Sequence, residues 1–143
     1  MRRFAYSLTG NREDADDLAQ AVIEKLLSRG LPEEANERKW IFRVCKNLWI
    51  DEIRSREVRR SHAKDVVNEC DGTPVDGMLK RLEAQRLIKA LDKLPASQRL
   101  PISLVAIEGL TYAEAAEILE VPIGTVMSRI SRARNTLLRL MAE

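Results

Sequence analysis

The chain has 143 residues, of which 45% are hydrophobic, 32% charged and 4% aromatic, and its formal net charge is +2. No apolar run approaches the ~18 residues that a membrane span needs, and the N-terminus lacks the apolar core of a signal peptide. Cys45 and Cys70 show no CxxC or Cys/His spacing, and His62 is the single histidine, which argues against a zinc site. These features predict a soluble, helical, cytoplasmic protein without a metal or cofactor.

Two helices are predicted at the start of the chain. The first contains Phe4 and Leu8 and stops near Gly10, after which Asn11 can cap the second. The second follows the 3.6-residue period of an amphipathic helix until Gly30 and its neighbours interrupt the pattern. Its apolar positions are Ala15, Leu18, Ala19, Val22, Ile23, Leu26 and Leu27.

A third helix is predicted from Arg38 or Lys39 to about Arg60, which makes Cys45 a buried free thiol. Its inward-facing positions are Ile41, Val44, Cys45 and Leu48. Residues 61–78 contain Gly and Pro and have no clear periodicity, so they are predicted to form a flexible linker. The expected fold is therefore all-α, with two small helical domains, residues 1–60 and 79–143.

The second domain begins with leucines at helical spacing and is predicted to stop its first helix at Pro95. Pro101 is predicted to lie in the first turn of the next helix, because proline is tolerated there, and that helix ends near Gly109. Thr111 and Glu114 then have the spacing of a capping box, which opens a short helix.

The end of the chain has the pattern of a helix-turn-helix. Ala115 and Ala116 are small enough for a second helix to cross closely, and Pro122 is tolerated in the first turn of that helix. In the last helix one stripe combines hydroxyls with arginines, which suits a recognition helix in the major groove. The stripe consists of Thr125, Ser128, Arg129 and Arg132. The alternative is an ordinary amphipathic helix with a basic outer face.

The charges are unevenly distributed along the chain. Residues 13–37 carry eight acidic and two basic side chains, a net charge of −6, whereas residues 38–60 carry eight basic and three acidic ones, a net charge of +5. Residues 122–139 carry four arginines and no acid. Two basic segments, one in each half, form a plausible electrostatic surface for nucleic acid.

Several motifs together identify a family resemblance. The second half contains Leu94–Arg99 (LPASQR), Glu108–Leu119 (EGLTYAEAAEIL) and Val121–Arg134 (VPIGTVMSRISRAR), which resemble the σ4 domain of extracytoplasmic-function sigma factors. The first half contains Leu8–Asn11 (LTGN), Asp14–Gln20 (DADDLAQ) and Arg38–Asp51 (RKWIFRVCKNLWID), which resemble the σ2 domain. The resemblance covers nearly the whole chain in the family's order, with a divergent linker between the two parts.

The resemblance implies a transcription initiation factor that binds core RNA polymerase. The family's Asp-Asp-Leu-x-Gln motif docks on the coiled coil of the largest (β′) polymerase subunit, which implies that role for Asp16, Asp17, Leu18 and Gln20. The β flap is a second implied polymerase contact. An anti-sigma factor that covers these surfaces is a further implied partner.

The resemblance also implies that the third helix reads the −10 promoter element and helps to open the duplex. The implied DNA-binding residues are Lys39, Arg43, Lys46, Asn47 and Arg54. Trp40 either stacks near an unpaired base or, as the favoured interpretation, lies at the core boundary, and Trp49 is left open. The acidic loop Ser28–Glu37 corresponds to the segment that receives a flipped promoter base.

The family's −35 contacts correspond to the stripe on the last helix, Thr125, Ser128, Arg129 and Arg132. The chain departs from the family at Met127, where a basic residue is usual, and at Glu120, where glycine is usual in the turn.

Other functions fit less well. A sigma mimic that sequesters an anti-sigma factor would not need the arginines that face DNA. A helix-turn-helix repressor would leave the first 60 residues unexplained. An enzyme would need a nucleophile–base pair or a phosphate-binding loop, and the sequence has neither.

Overall fold

The computed structural model describes residues 1–30, 36–59 and 78–142. All regular structure in these ranges is helical, which confirms the predicted all-α fold. The helices are α1 (Arg2–Thr9), α2 (Arg12–Arg29), α3 (Glu37–Arg59), α4 (Met78–Asp92), α5 (Ala96–Ile102), α6 (Tyr112–Leu119) and α7 (Ile123–Ala142). The predicted linker, residues 61–78, lies outside the described residues except for Met78, which begins α4. Half of the predicted base-binding loop Ser28–Glu37, at residues 31–35, also lies outside them.

The turn between α1 and α2 forms as predicted. Gly10 ends α1 in the left-handed conformation, with φ at 81°, and its N–H donates to the Tyr6 carbonyl. A Cβ at this position would lie 2.7 Å from Oδ1 of Asp92, so glycine is required by both conformation and space. The Asn11 side chain then accepts a hydrogen bond of 2.8 Å from the Asp14 N–H and caps α2.

The prediction for Pro101 was wrong. Pro95 precedes α5 and accepts backbone hydrogen bonds from Gln98 and Arg99, whereas Pro101 lies inside the helix near its end. A π-helical turn, Ser103–Ile107, follows directly. Proline has no N–H for the helical ladder and crowds the preceding turn, and a π-helical turn is one of the ways in which a helix accommodates such a break.

One hydrophobic core joins the two halves of the chain. Phe4 of α1 and Phe42 of α3 meet edge to face, with ring centroids 5.2 Å apart. Leu104, which follows α5, and Ile118 of α6 are fully buried in the same cluster. A smaller cluster joins α4, α5 and α7 through Leu91, Leu94, Ile102 and Ala133. The two predicted domains therefore pack against each other in this structure.

Arg99 is the most deeply buried polar link between the halves. It is 5% exposed, and its Nε donates a hydrogen bond of 2.7 Å to the Ser7 carbonyl at the end of α1. Its Nη1 pairs with Asp92 at 2.8 Å, and its guanidinium lies 5.9 Å from the centre of the Trp49 ring. Burial lowers the pKa of Arg99, and the carboxylate of Asp92 partly offsets this effect.

Candidate nucleic-acid and protein interfaces

The helix-turn-helix of α6 and α7 begins with the predicted capping box. Thr111 accepts a hydrogen bond from the Glu114 N–H at 3.1 Å, and the Glu114 carboxylate accepts one from the Thr111 N–H at 3.2 Å. Hydrogen bonding of the carboxylate to the backbone N–H and to the side chain of Thr111 lowers the pKa of Glu114. Glu120 ends α6 in the left-handed conformation, with φ at 58° and ψ at 44°, so the residue that stands where the family usually has glycine adopts a glycine-type conformation.

The exposed face of α7 only partly matches the predicted stripe. Ser128 and Arg132 are exposed, but Thr125 and Arg129 are half-buried at the flank of the helix. The helix buries Val126, Ile130 and Ala133 against the core. Opposite this buried side, the exposed positions recur at helical spacing from the start of the helix. This α7 face consists of Gly124, Met127, Ser128, Ser131, Arg132 and Asn135.

Ser131 and Asn135 of the α7 face were not predicted from the sequence. Their exposure could have been predicted from the helical period, because both positions lie opposite the buried apolar stripe of α7. A Cβ added to Gly124 would meet nothing within 4 Å, so internal packing does not explain this glycine. A glycine on an exposed helix face allows a bound molecule to approach the backbone closely.

The residues predicted to bind the −10 element divide into two groups. Asn47 and Arg54 are exposed, whereas the other three lie on the side of α3 that faces α6. We call these three, Lys39, Arg43 and Lys46, the α3 basic surface. Lys46 is only 9% exposed, and burial lowers its pKa. Trp49, whose role was left open, is buried in the core, and Trp40 is half-buried.

Acidic and carbonyl groups of the second half cover the α3 basic surface. Lys39 forms an ion pair with Glu117 of α6, and the Arg43 Nη2 donates to the backbone carbonyl of the same glutamate at 2.9 Å. The Arg43 Nε lies 3.9 Å from the carboxylate of Glu120. The neighbouring Arg38 donates to the Glu108 carbonyl at 3.0 Å. No role was predicted for Glu117 from the sequence, because its partners lie more than seventy positions away in the chain.

The predicted polymerase-binding residues occupy two sides of α2. Asp16, Asp17 and Gln20 are exposed, but Leu18 is only 8% exposed and belongs to the core. The exposed apolar side chains of this helix are instead Ile23 and Leu27, at 49% and 82%. We define the α2 stripe as Asp16, Gln20, Ile23 and Leu27. The last three lie four, seven and eleven positions after Asp16, so all four share one face of the helix.

Within the described residues, no helix is both long and apolar enough to cross a membrane. The same part of the chain contains no group of three or more histidine, cysteine, aspartate or glutamate side chains that could hold a metal ion.

An acidic helix face in the first module and an arginine-bearing helix-turn-helix in the second are the features expected of a sigma-type transcription factor. The model of "Sigma-70 region 2" matches residues 1–59, and that of "Sigma-70, region 4" matches residues 84–137. The chain belongs to the extracytoplasmic-function (ECF) family of RNA polymerase sigma factors, which confirms the resemblance predicted from its motifs.

Named relatives and solved structures support this membership. The ECF RNA polymerase sigma factor EcfG of Rhodopseudomonas palustris is 34% identical, with 99% of this chain covering 78% of that protein. SigE of Mycolicibacterium smegmatis is 35% identical, and 99% of this chain covers 57% of its length.

Among solved structures, the sigma factor RpoE of Bartonella quintana, in complex with the anti-sigma factor NepR, superposes with a TM-score of 0.80 at 33% identity. That match covers 99% of this chain and 89% of the other. CnrH in complex with the cytosolic domain of CnrY matches with a TM-score of 0.71 at 26% identity, covering 99% of this chain and 79% of the other.

Proposed function

We propose that this protein binds core RNA polymerase in the cytoplasm, directs it to promoters and opens the duplex at the −10 element. The α2 stripe binds the β′ coiled coil, α3 binds the −10 element, and α7 binds the −35 element. The second module also contacts the β flap. The observation that carries the proposal is the presence of an acidic and apolar face on α2 together with an acid-free, arginine-bearing α7 in one chain.

The α2 stripe has the composition of a protein-binding surface. Ile23 and Leu27, four positions apart on one face, together expose apolar area that no other described element covers. Asp16 and Gln20 extend the same face with polar groups. DNA would be repelled by the acidic residues around this stripe, whereas a basic protein surface would be attracted.

The α7 face has the composition of a DNA-binding surface. Arg132 and Ser128 project from the side opposite the core, and Arg129 lies at its flank. Arginine can donate two hydrogen bonds to guanine, and serine can contact either a base or a phosphate. Tethering two such modules to one polymerase makes the second promoter contact intramolecular, so two weak sites together become specific.

Run-off transcription with core polymerase on a pool of genomic promoters tests this proposal. The wild-type chain is expected to initiate, and Ile23→Ser/Leu27→Ser is expected to lose core binding, measured by co-elution from a sizing column. Arg129→Ala/Arg132→Ala is expected to keep core binding but to lose dependence on the −35 element. The matched control for the α2 change is Leu138→Ser, because Leu138 is also an exposed leucine, at 71%.

The result also separates the proposal from the sigma mimic. A chain that binds core polymerase and supports no initiation would refute the active factor and favour the mimic. An anti-sigma factor is part of the proposal, and the solved complexes of RpoE with NepR and of CnrH with CnrY support it. Its binding is expected to compete with core polymerase for the α2 stripe.

A further inference from the structure

We propose that Glu117 and Glu120 form an intramolecular latch that blocks the α3 basic surface when the protein is free of polymerase. The inference rests on the proposed function, in which that surface binds promoter DNA. It goes further because it assigns an inhibitory role to two side chains of the helix-turn-helix itself.

The latch occupies the donors that DNA would need. The Nζ of Lys39 is paired with the Glu117 carboxylate, and the Nη2 of Arg43 is bonded to the Glu117 carbonyl at 2.9 Å. The Arg43 Nε faces Glu120 at 3.9 Å, and the charge of Glu120 also acts on the buried Lys46. The carboxylates offset the charge of these donors and α6 packs over them, so DNA and the latch compete for one surface.

The conformation of Glu120 supports a role beyond ending a helix. It is the single non-glycine residue with positive φ in the described part of the chain. A residue with a Cβ is destabilised in this conformation, and glycine would adopt it freely. The Glu120 side chain is 68% exposed, so burial does not explain its presence, and the ion pair that the structure gives it is the one with Arg43. Strain of this kind at one position is typical of functional segments.

The two ion pairs of the latch are individually weak. Both glutamate side chains are more than half exposed, and partly exposed ion pairs are only modestly favourable and are screened by salt. The Arg43 Nε is buried without a hydrogen-bond partner, so the closed arrangement does not satisfy this donor fully. Polymerase that holds the two modules apart would also have to offset the loss of the shared hydrophobic core, and the two ion pairs add a modest increment to that cost.

The test measures DNA binding by the free, full-length chain. The variant Glu117→Gln/Glu120→Gln removes both latch charges and keeps the side-chain size. The probe is a fluorescein-labelled single-stranded DNA of random sequence, about 15 nucleotides long, followed by fluorescence anisotropy. We expect the variant to bind about 3- to 10-fold more tightly than wild type, which lies within the range for losing two partly exposed ion pairs. The ratio of the two affinities should fall as salt is raised.

Two controls identify the surface that is released. Glu24→Gln/Glu83→Gln changes the net charge equally at two exposed side chains, so an equal gain there would overturn the latch. Adding Lys39→Ala/Arg43→Ala to the latch variant should abolish the gain, and a gain that persists would also overturn it.

Glu120→Gly separates opening from unfolding. Glycine relieves the positive φ, so this variant should melt no lower than wild type by circular dichroism and still bind DNA more tightly. Tighter binding that accompanies a lower melting temperature would contradict the latch.

Transcription distinguishes this inference from the function on which it rests. A wild-type chain that initiates with core polymerase, but whose free form binds DNA as tightly as the latch variant, overturns the latch alone. A chain that does not initiate overturns the proposed function, whatever the latch variant does.

Discussion

Replacing Arg99 by methionine should weaken the packing between the two halves of the chain. Methionine fills a similar volume and can keep the contact with the Trp49 ring, but it cannot donate to the Ser7 carbonyl. That hydrogen bond is 2.7 Å long and buried. Without it, the Ser7 carbonyl loses this donor in a place where water cannot readily replace it, which destabilises the fold. The change therefore removes one buried polar link between the two halves.

The expected loss of stability can be estimated from the contacts. A hydrogen bond from a charged donor contributes about 1.5–3 kcal/mol, whereas the pair with Asp92 contributes less than about 1 kcal/mol because the Asp92 side chain is 53% exposed. Removing the charge also relieves the cost of burying the guanidinium, which offsets part of the loss. We expect Arg99→Met to lower the free energy of unfolding by about 2 kcal/mol.

Urea unfolding followed by circular dichroism measures this change. Because both halves contribute to one core, we expect a single cooperative transition that shifts to lower urea without a change in slope. Asp92→Asn is the matched control, and it should cost less than about 1 kcal/mol because its side chain is half exposed. If Asp92→Asn costs as much as Arg99→Met, the bond to Ser7 is not the main contribution and the reasoning fails.

Three further predictions concern other parts of the molecule. Burial raises the pKa of the Cys45 thiol to about 12, so in a Cys70→Ser background it should react with a disulfide reagent at pH 8 only after unfolding; rapid reaction of the native protein would contradict this. Burial favours a higher pKa for Asp14, but hydrogen bonds with Asn11 and Arg56 outweigh it and hold the pKa below its usual value. The resulting stabilisation is complete above the unfolded pKa of about 4 and is lost as the pH falls through the lower folded value. Urea titrations from pH 5 to pH 2 should therefore show a smaller acid-induced loss for Asp14→Asn than for wild type, and equal losses would refute this account. Met127→Lys should add one phosphate contact and steepen the salt dependence of DNA binding by about 0.9 in log–log slope; an unchanged slope would remove Met127 from the DNA interface.

Helix ends were predictable where the determinants are close in the chain. Gly10 and Asn11 end one helix and cap the next through contacts with residues at most four positions away, and the capping box of Thr111 and Glu114 spans three. The same local reasoning failed at Pro101. Proline is tolerated both in a first turn and beside a π-helical turn, and the sequence alone did not distinguish the two.

Side-chain exposure was harder to predict than helix position. On α2, the apolar period includes Leu18, Ile23 and Leu27, but only Leu18 is buried, although it was predicted to contact polymerase. On α7, the exposed face is rotated relative to the predicted stripe, and Thr125 and Arg129 of that stripe are half-buried. A helical period defines an apolar side only to within a wide arc, and the neighbouring helices decide which part of that arc is covered.

The sequence by itself determined the all-α fold, most helix boundaries and membership of the ECF sigma factor family, because propensity, capping and motif order are properties of neighbouring residues. The tertiary structure alone decided that Arg99 joins the two halves and that the α3 basic surface faces Glu117 and Glu120. These contacts join residues far apart in the chain, and no local pattern specifies which distant charge a lysine or an arginine will meet.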